Sequence, residues 1–413
     1  TSTVIVDKDY IHPSFDYTAG QDGAFLAKIN GAYGTGAAAT DNFGYSVAVG
    51  SGRIVVGARY DADNGSSSGS AYIFDLNGNF INKIDGTGGT GAATFDYFGQ
   101  VVAVGSGRIV VGAHADDDNG SESGSAYIFD LNGNFINKID GTGGTGAAAI
   151  DNFGYSVAVG SGRVVVGAYA DDDNALSGSG SAYIFDLDGN FINKINGAHG
   201  TGAGVDDYFG ISVAVGSGRI VVAARYDDDN GSFSGSAYIF DLDGNFINKI
   251  DGAHGTGAGV DDYFGSSVAV GSGRVLVGAR QDDDNGSDSG SAYIFDLDGN
   301  FIKKIDGTGG TGAAASDLFG YSVAIGSGRI VVGAYLDDDN GTNSGSAYIF
   351  DLDGNFIKKI DGAYGTGAAA NDYFGVSVAV GSGRIVVGAY ADDEGGLDGS
   401  GSAYIFKLNE TLS

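Results

Sequence analysis

One unit recurs seven times along the chain, and this constrains the fold more than any single motif. Phe-Gly occurs at Phe43-Gly44, Phe98-Gly99, Phe153-Gly154, Phe209-Gly210, Phe264-Gly265, Phe319-Gly320 and Phe374-Gly375, spaced by 55 or 56 residues. Ser-Ala-Tyr-Ile-Phe also occurs seven times, first at Ser70–Phe74 and last at Ser402–Phe406. A length of 413 residues would suggest two or three domains, but such a prior fails for an array of small units.

Each unit reads as four short strands. In the first copy Ser46–Val49 leads to the tight turn Gly50-Ser51-Gly52-Arg53, and Ile54–Ala58 is a β-branched run. A polar loop, Arg59–Gly69, precedes Ser70–Leu76. Asn77-Gly78 is a strong hairpin signal, and Phe80–Ile84 forms the fourth strand. The Gly/Ala/Thr-rich stretch Asp85–Tyr97 connects to the next Phe-Gly. No helical periodicity interrupts the pattern. Four antiparallel strands at this period predict an all-β, seven-bladed β-propeller. Small Ala48 between Val47 and Val49 suits a strand near the axis, and Phe80 and Ile81 suit a wider outer strand. A stacked solenoid is the alternative, and it needs atypical capping repeats.

The ends differ from caps. Six copies carry the fourth-strand string, from Phe80, Phe135, Phe191, Phe246, Phe301 and Phe356. The seventh stops at Phe406-Lys407-Leu408, and the missing strand stands before the first Phe-Gly, as Gly23–Ile29. The last blade is therefore expected to take three strands from the C-terminus and one from the N-terminus, which removes exposed edges. The propeller spans 23–408, with an N-terminal extension, 1–22, and a tail, 409–413. Thr3-Val4-Ile5-Val6 is strand-like without a vacancy in any blade, so it reads as a surface tail or as a strand donated to another molecule.

Composition narrows the function. The formal charge is -31, from 52 acidic and 21 basic residues, and only Glu122, Glu394 and Glu410 are Glu. Such a chain repels nucleic acid. A halophile surface would use Glu as well, whereas an Asp excess points to turns and hard-cation ligands. No apolar run reaches membrane-spanning length, and zero Cys excludes disulfides and thiolate chemistry. With no Met in the sequence, Thr1 is expected to be a processed N-terminus, which fits export and an extracellular or cell-surface location.

The unit Phe-Gly-x-Ser-Val-Ala, then Val-Val-Gly-Ala, then an acidic loop, then Gly-Ser-Ala-Tyr-Ile-Phe, resembles FG-GAP repeats, found in integrin α-subunit propellers and in many bacterial surface proteins. The resemblance covers residues 23–408. It implies a seven-bladed propeller, usually extracellular, often adhesive and often calcium-binding. The integrin calcium loop lies between the first and second strands, and here that connection is only Gly50-Ser51-Gly52-Arg53 and its equivalents. The chain is more similar to a shorter bacterial subtype with its acidic loop between strands two and three, and integrin ligand binding does not carry over.

Those acidic loops are the expected metal sites. An Asp-x-Asp-Asn-Gly turn can present two carboxylates and a carbonyl on one side, and adjacent carboxylates need a counter-ion. The middle position tolerates Ala62, so the first and third acids are the expected calcium ligands: Asp61 and Asp63, Asp116 and Asp118, Asp171 and Asp173, Asp227 and Asp229, Asp282 and Asp284, Asp337 and Asp339, Asp392 and Glu394. The Asp two residues before each Phe-Gly is a further ligand or a turn cap: Asp41, Asp96, Asp151, Asp207, Asp262, Asp317 and Asp372. The alternative for all of them is solvated turn chemistry. On the opposite face, the turn arginines from Arg53 to Arg384 are expected to pair with hairpin acids such as Asp75 and Asp130.

The position after Gly-Ala varies: Arg59, His114, Tyr169, Arg225, Arg280, Tyr335 and Tyr390. These side chains could stack on sugars or contact protein, or reflect drift. Asn64-Gly65-Ser66 and its like are glycosylation sequons only in a eukaryotic secretory source. The Gly-rich connections precede no helix, which argues against nucleotide binding. No repeat carries a distinctive Ser-His-Asp set, so no enzyme is expected. The sequence thus points to a secreted or surface-displayed, non-enzymatic propeller for adhesion or extracellular assembly, stabilised by calcium. The alternatives are a filament or layer subunit, self-joined through residues 1–22, and a glycan-binding lectin. The partner is a protein or a glycan at the cell surface, and no nucleic acid.

Overall fold

The computed structural model describes residues 22–32, 38–88, 93–143, 148–172, 176–198, 204–253, 259–309, 314–363, 369–393 and 397–408. Each repeat forms one four-stranded antiparallel sheet, and seven such sheets stand around an axis. In blade 1 the strands are Phe43–Gly50, Arg53–Ala58, Ser70–Phe74 and Phe80–Ile84, paired in chain order. Blades 2 to 6 repeat that order. Blade 7 joins Ser377–Gly381, Arg384–Ala389 and Ser402–Lys407 to Ala24–Asn30. The closing pair is antiparallel, with Phe25 opposite Phe406 and Ile29 opposite Ala403. The ring closes as the sequence predicts, and the solenoid is excluded. The first strand of blade 1 starts earlier than its sequence pattern, at Phe43, because a bulge lets Phe43 pair with Ala58 before the ladder resumes at Ser46–Gly57.

The core lies between blades. Val55, Ala71 and Ile73 of blade 1 pack against Phe98, Val111 and Tyr127 of blade 2. Both faces of each second strand are covered, which is why it reads as an unbroken apolar run, Ile54-Val55-Val56. The first strands line the axis: Val47, Ala48 and Val49 and their equivalents surround a channel of about 210 Å³.

The Phe-Gly and Gly-Ala motifs of the unit are two halves of one inter-blade contact. A Cβ on Gly57 would overlap the carbonyl oxygen of Gly99 in the next blade. Ser46 Oγ donates to that same carbonyl at 3.0 Å. Blade 4 carries Ala223 at the position of Gly57, and there the approach is looser: a Cβ on Gly265 would lie 2.8 Å from the Ser236 carbonyl oxygen, against 2.2 Å between Gly99 and that of Ser70.

On the face of the tight turns, arginines latch each blade to the next. Arg53 Nε donates to the carbonyl of Leu131 at 2.8 Å, and Arg163 Nη2 pairs with Asp243 at 2.9 Å. Blade 7 has no third-to-fourth hairpin, because the two strands come from opposite ends of the chain. Asp22 stands in for it, 2.6 Å from Arg329 Nε. The expected pairing with Asp75 and Asp130 differs from this. Those carboxylates cap their own hairpins instead: Asp75 Oδ1 accepts the N–H groups of Asn77 and Asn79 at 2.8 and 2.9 Å.

Gly57→Ala is expected to cost about 1–3 kcal/mol by forcing blades 1 and 2 apart. Denaturant unfolding checks this, and an unchanged midpoint would contradict it.

Candidate functional site

The second-to-third loops and the connections between blades share the other face. Phe95 N–H donates to the Ser66 carbonyl at 2.8 Å, and Phe98 N–H to that of Ser68 at 3.0 Å. Each connection thus rests on the loop of the blade it leaves, and delivers its Asp to the loop of the blade it enters.

In blade 1, Asp61 is buried. Its Oδ1 accepts the Asp63 N–H at 3.1 Å and its Oδ2 accepts the Tyr72 hydroxyl at 3.0 Å. Lys83 Nζ, from the fourth strand, lies 2.7 Å from Asp61 and 2.6 Å from Asp63, and 5.2 Å from the centre of the Tyr72 ring. The arrangement recurs in Lys138 with Asp116 and Asp118, Lys249 with Asp227 and Asp229, Lys304 with Asp282 and Asp284, and Lys359 with Asp337 and Asp339. Lys194 meets Asp171 at 2.8 Å, and Lys28, on the closing strand, meets Asp392 at 2.9 Å. Asp173 and Glu394 lie outside the described residues. Burial works against the Lys83 charge, but its hydrogen bonds to Asp61 and Asp63 outweigh this and hold its pKa above the ordinary lysine value. Burial and Asp61 push the Tyr72 phenol well above its usual range.

The structure therefore brings the expected first and third acids together, around an ammonium. Calcium needs six to eight oxygens. Here both oxygens of Asp61, Asp116, Asp227, Asp282, Asp337 and Asp392 are engaged, and among the described residues no group of three or more His, Asp or Glu stands in a metal-holding arrangement. As arranged, these donors do not fit a calcium ion. The middle acids serve the loop itself: Asp117 Oδ1 accepts the Glu122 N–H at 2.7 Å, and Asp228 Oδ1 accepts that of Phe233 at 2.8 Å.

The Asp before each Phe-Gly caps its connection. Asp41 Oδ2 accepts the Ala38 N–H at 2.7 Å, and Asp96 Oδ2 that of Ala93 at 2.6 Å. Burial raises the pKa of Asp41, Asp96, Asp151, Asp207, Asp262, Asp317 and Asp372 to about 6, and the neighbouring loop acid adds to the effect.

Around the channel mouth the seven variable positions join a closed circuit of rings and guanidinium groups. Tyr390 meets Tyr45, and Arg59 lies 3.6 Å from the Tyr45 ring centre and 4.5 Å from that of Tyr60. The path continues through Tyr97, His114, Tyr155, Tyr169, Tyr208, Tyr226 and Tyr263. Arg280 bridges Tyr263 and Tyr321 at 5.6 Å from each, and Tyr335 and Tyr373 lead back to Tyr390. Arg225 lies over Tyr226 at 4.8 Å. Burial and then Arg59 lower the His114 pKa to about 4, so this histidine is neutral near pH 7. Among the described residues, Arg59, Arg225 and Arg280 form no ion pair with a carboxylate. Sequence reasoning found one of the circuit's positions per blade. It missed the tyrosines beside each Phe-Gly, which are spread over non-adjacent positions of the unit.

The FG-GAP repeat family matches this chain at residues 34–74, 90–129, 145–185, 201–240, 256–295, 311–350 and 365–406, well over half its length. The chain belongs to that family. No match to a curated protein was found.

The buried connection acids set a pH dependence. A group whose folded pKa is raised contributes stability that is complete below its unfolded pKa and is lost as pH rises through the folded value. Melting temperature is expected to fall between about pH 4.5 and about pH 7. Asp96, which faces Asp116, Asp117 and Lys138, contributes one share. Asp96→Asn should make the fall shallower in calorimetry, and an unchanged slope would contradict the assignment.

Proposed function

We propose that this chain is a non-enzymatic, extracellular or surface-displayed propeller that serves adhesion or extracellular assembly by binding a protein on its loop face. One observation carries the reading: apolar side chains stand exposed at loop positions where they are doubly unfavourable. Phe95 and Ile150 are 54% and 62% exposed and hold positive φ, 72° and 76°. The same position elsewhere is Thr40, Asp206, Asp261, Ser316 or Asn371, mostly residues that adopt this conformation more readily. Val205, Phe233 and Val260 continue the arc over the following blades, and Phe233 stacks on Tyr263. Isolated exposed apolar residues are ordinary, but a consecutive arc on one face marks an interaction surface. Exposed acids, among them Asp117, Glu122, Asp206 and Asp261, flank it, so the favoured partner presents basic residues around an apolar centre.

A glycan-binding reading has its own support. A cavity of about 370 Å³ between blades 5 and 6 is lined by Arg280, Gln281, Asp288, Leu318 and Tyr335, residues suited to sugar stacking and hydroxyl contacts. Residues 1–21 lie outside the described residues, and assembly through the segment 1–22 is supported by the place of the strand that follows it, Ala24–Asn30, at the outer edge of blade 7.

Beads coated with the full chain are expected to adhere to cells, and beads carrying Phe95→Asp with Ile150→Asp to lose most of that adhesion while the melting temperature holds. Adhesion untouched by the double substitution, or abolished instead by Arg280→Ala together with hits on a glycan array, would contradict the protein-docking reading.

A further inference from the structure

We infer that seven tethered lysine ammonium groups take the place of calcium in this propeller, so that its loop face is organised without any metal. The inference stands independently of what the face binds.

The argument starts from charge. In blade 4 three carboxylates, Asp207, Asp227 and Asp229, gather near one loop: Asp227 adds to the raised pKa of Asp207, and all three act on the Tyr238 phenol. Asp207 and Asp227 are buried and Asp229 stands exposed beside them, and buried carboxylates need a counter-charge. Lys249 supplies it, at 2.7 Å from Asp227 Oδ2 and 2.6 Å from Asp229 Oδ2. Both oxygens of Asp227 are already engaged: Oδ1 accepts the Asp229 N–H at 3.1 Å, and Oδ2 also accepts the Tyr238 hydroxyl at 3.0 Å. The middle acid, Asp228, is exposed and engaged with the Phe233 N–H.

The position of the ammonium is set by the sheet. Lys249 lies opposite Tyr238 in the ladder between the third and fourth strands, and Tyr238 in turn reaches Asp227. Strand register therefore aims the lysine at the loop, and a divalent ion could enter only by displacing a side chain packed against an aromatic ring at 5.2 Å. Blade 7 gives an internal check. Its fourth strand comes from the N-terminus, and that strand brings Lys28 opposite Tyr404 and against Asp392. Closing the ring and neutralising the last loop are one event.

A lysine carries one positive charge where calcium carries two, so the acids stay in excess and the face stays anionic. It also cannot be chelated away. The face should keep its shape in calcium-poor surroundings.

The test uses the full chain. Thermal unfolding of the wild type in millimolar calcium and in excess chelator is expected to give the same melting temperature, and calorimetric titration with calcium to show no stoichiometric binding. Lys249→Met keeps the packed stem and removes the charge, and it should lower the melting temperature by several degrees, whereas Lys249→Arg should recover part of the loss. A melting temperature that falls on chelation, stoichiometric calcium binding to the wild type, or a Lys249→Met variant as stable as the wild type would each overturn the inference. The wild-type measurements decide even if the methionine variant does not fold.

Discussion

The contact between a fourth-strand lysine and a second-to-third-loop aspartate underlies the rest of this structure. A chain with a formal charge of -31 draws its carboxylates into seven tight loops. Left alone, these acids would repel one another and would resist burial. One ammonium per blade reverses that balance, and a tyrosine hydroxyl completes the hydrogen bonding of each first acid. The loops then form a floor on which the connections between blades rest. Those connections position each Phe-Gly, and each Phe-Gly sets the distance to the neighbouring blade.

Much of the fold was legible because the cues for it are local. Period, hairpin signals and β-branched runs define a blade, and the missing fourth strand at Phe406-Lys407-Leu408 points to Gly23–Ile29 as its replacement. The contact of lysine with the loop acids was less legible because its parts are distant in the chain. Lys83 follows Asp63 by 20 residues, and the two meet only after a hairpin has folded. An Asp-rich loop read by itself asks for a cation and says nothing of its source. A usable signal was present: Lys28, Lys83, Lys138, Lys194, Lys249, Lys304 and Lys359 hold the same fourth-strand place in every copy, in a chain with only 21 basic residues. The turn arginines show the same limit. Their charge suggested the nearest acids, yet Asp75 is consumed by its own hairpin, and Arg53 crosses to the next blade.

The molecule divides its labour between repeated and varied positions. Residues that pack blades or neutralise loops recur almost unchanged. The varied ones gather at the channel mouth and on the loop tips above it. There Tyr, Arg and His alternate into a closed circuit, and Phe95, Ile150, Val205, Phe233 and Val260 break the sevenfold symmetry on one side. A symmetric frame that carries an asymmetric face suits recognition of an asymmetric partner.

The most direct measurement is a high-resolution crystal structure of the full chain grown in calcium. The account predicts lysine Nζ density between the first and third acids of each short loop, at hydrogen-bonding distance from both. An ion there, ringed by six or more oxygens with the lysine side chains swung out to solvent, would contradict it.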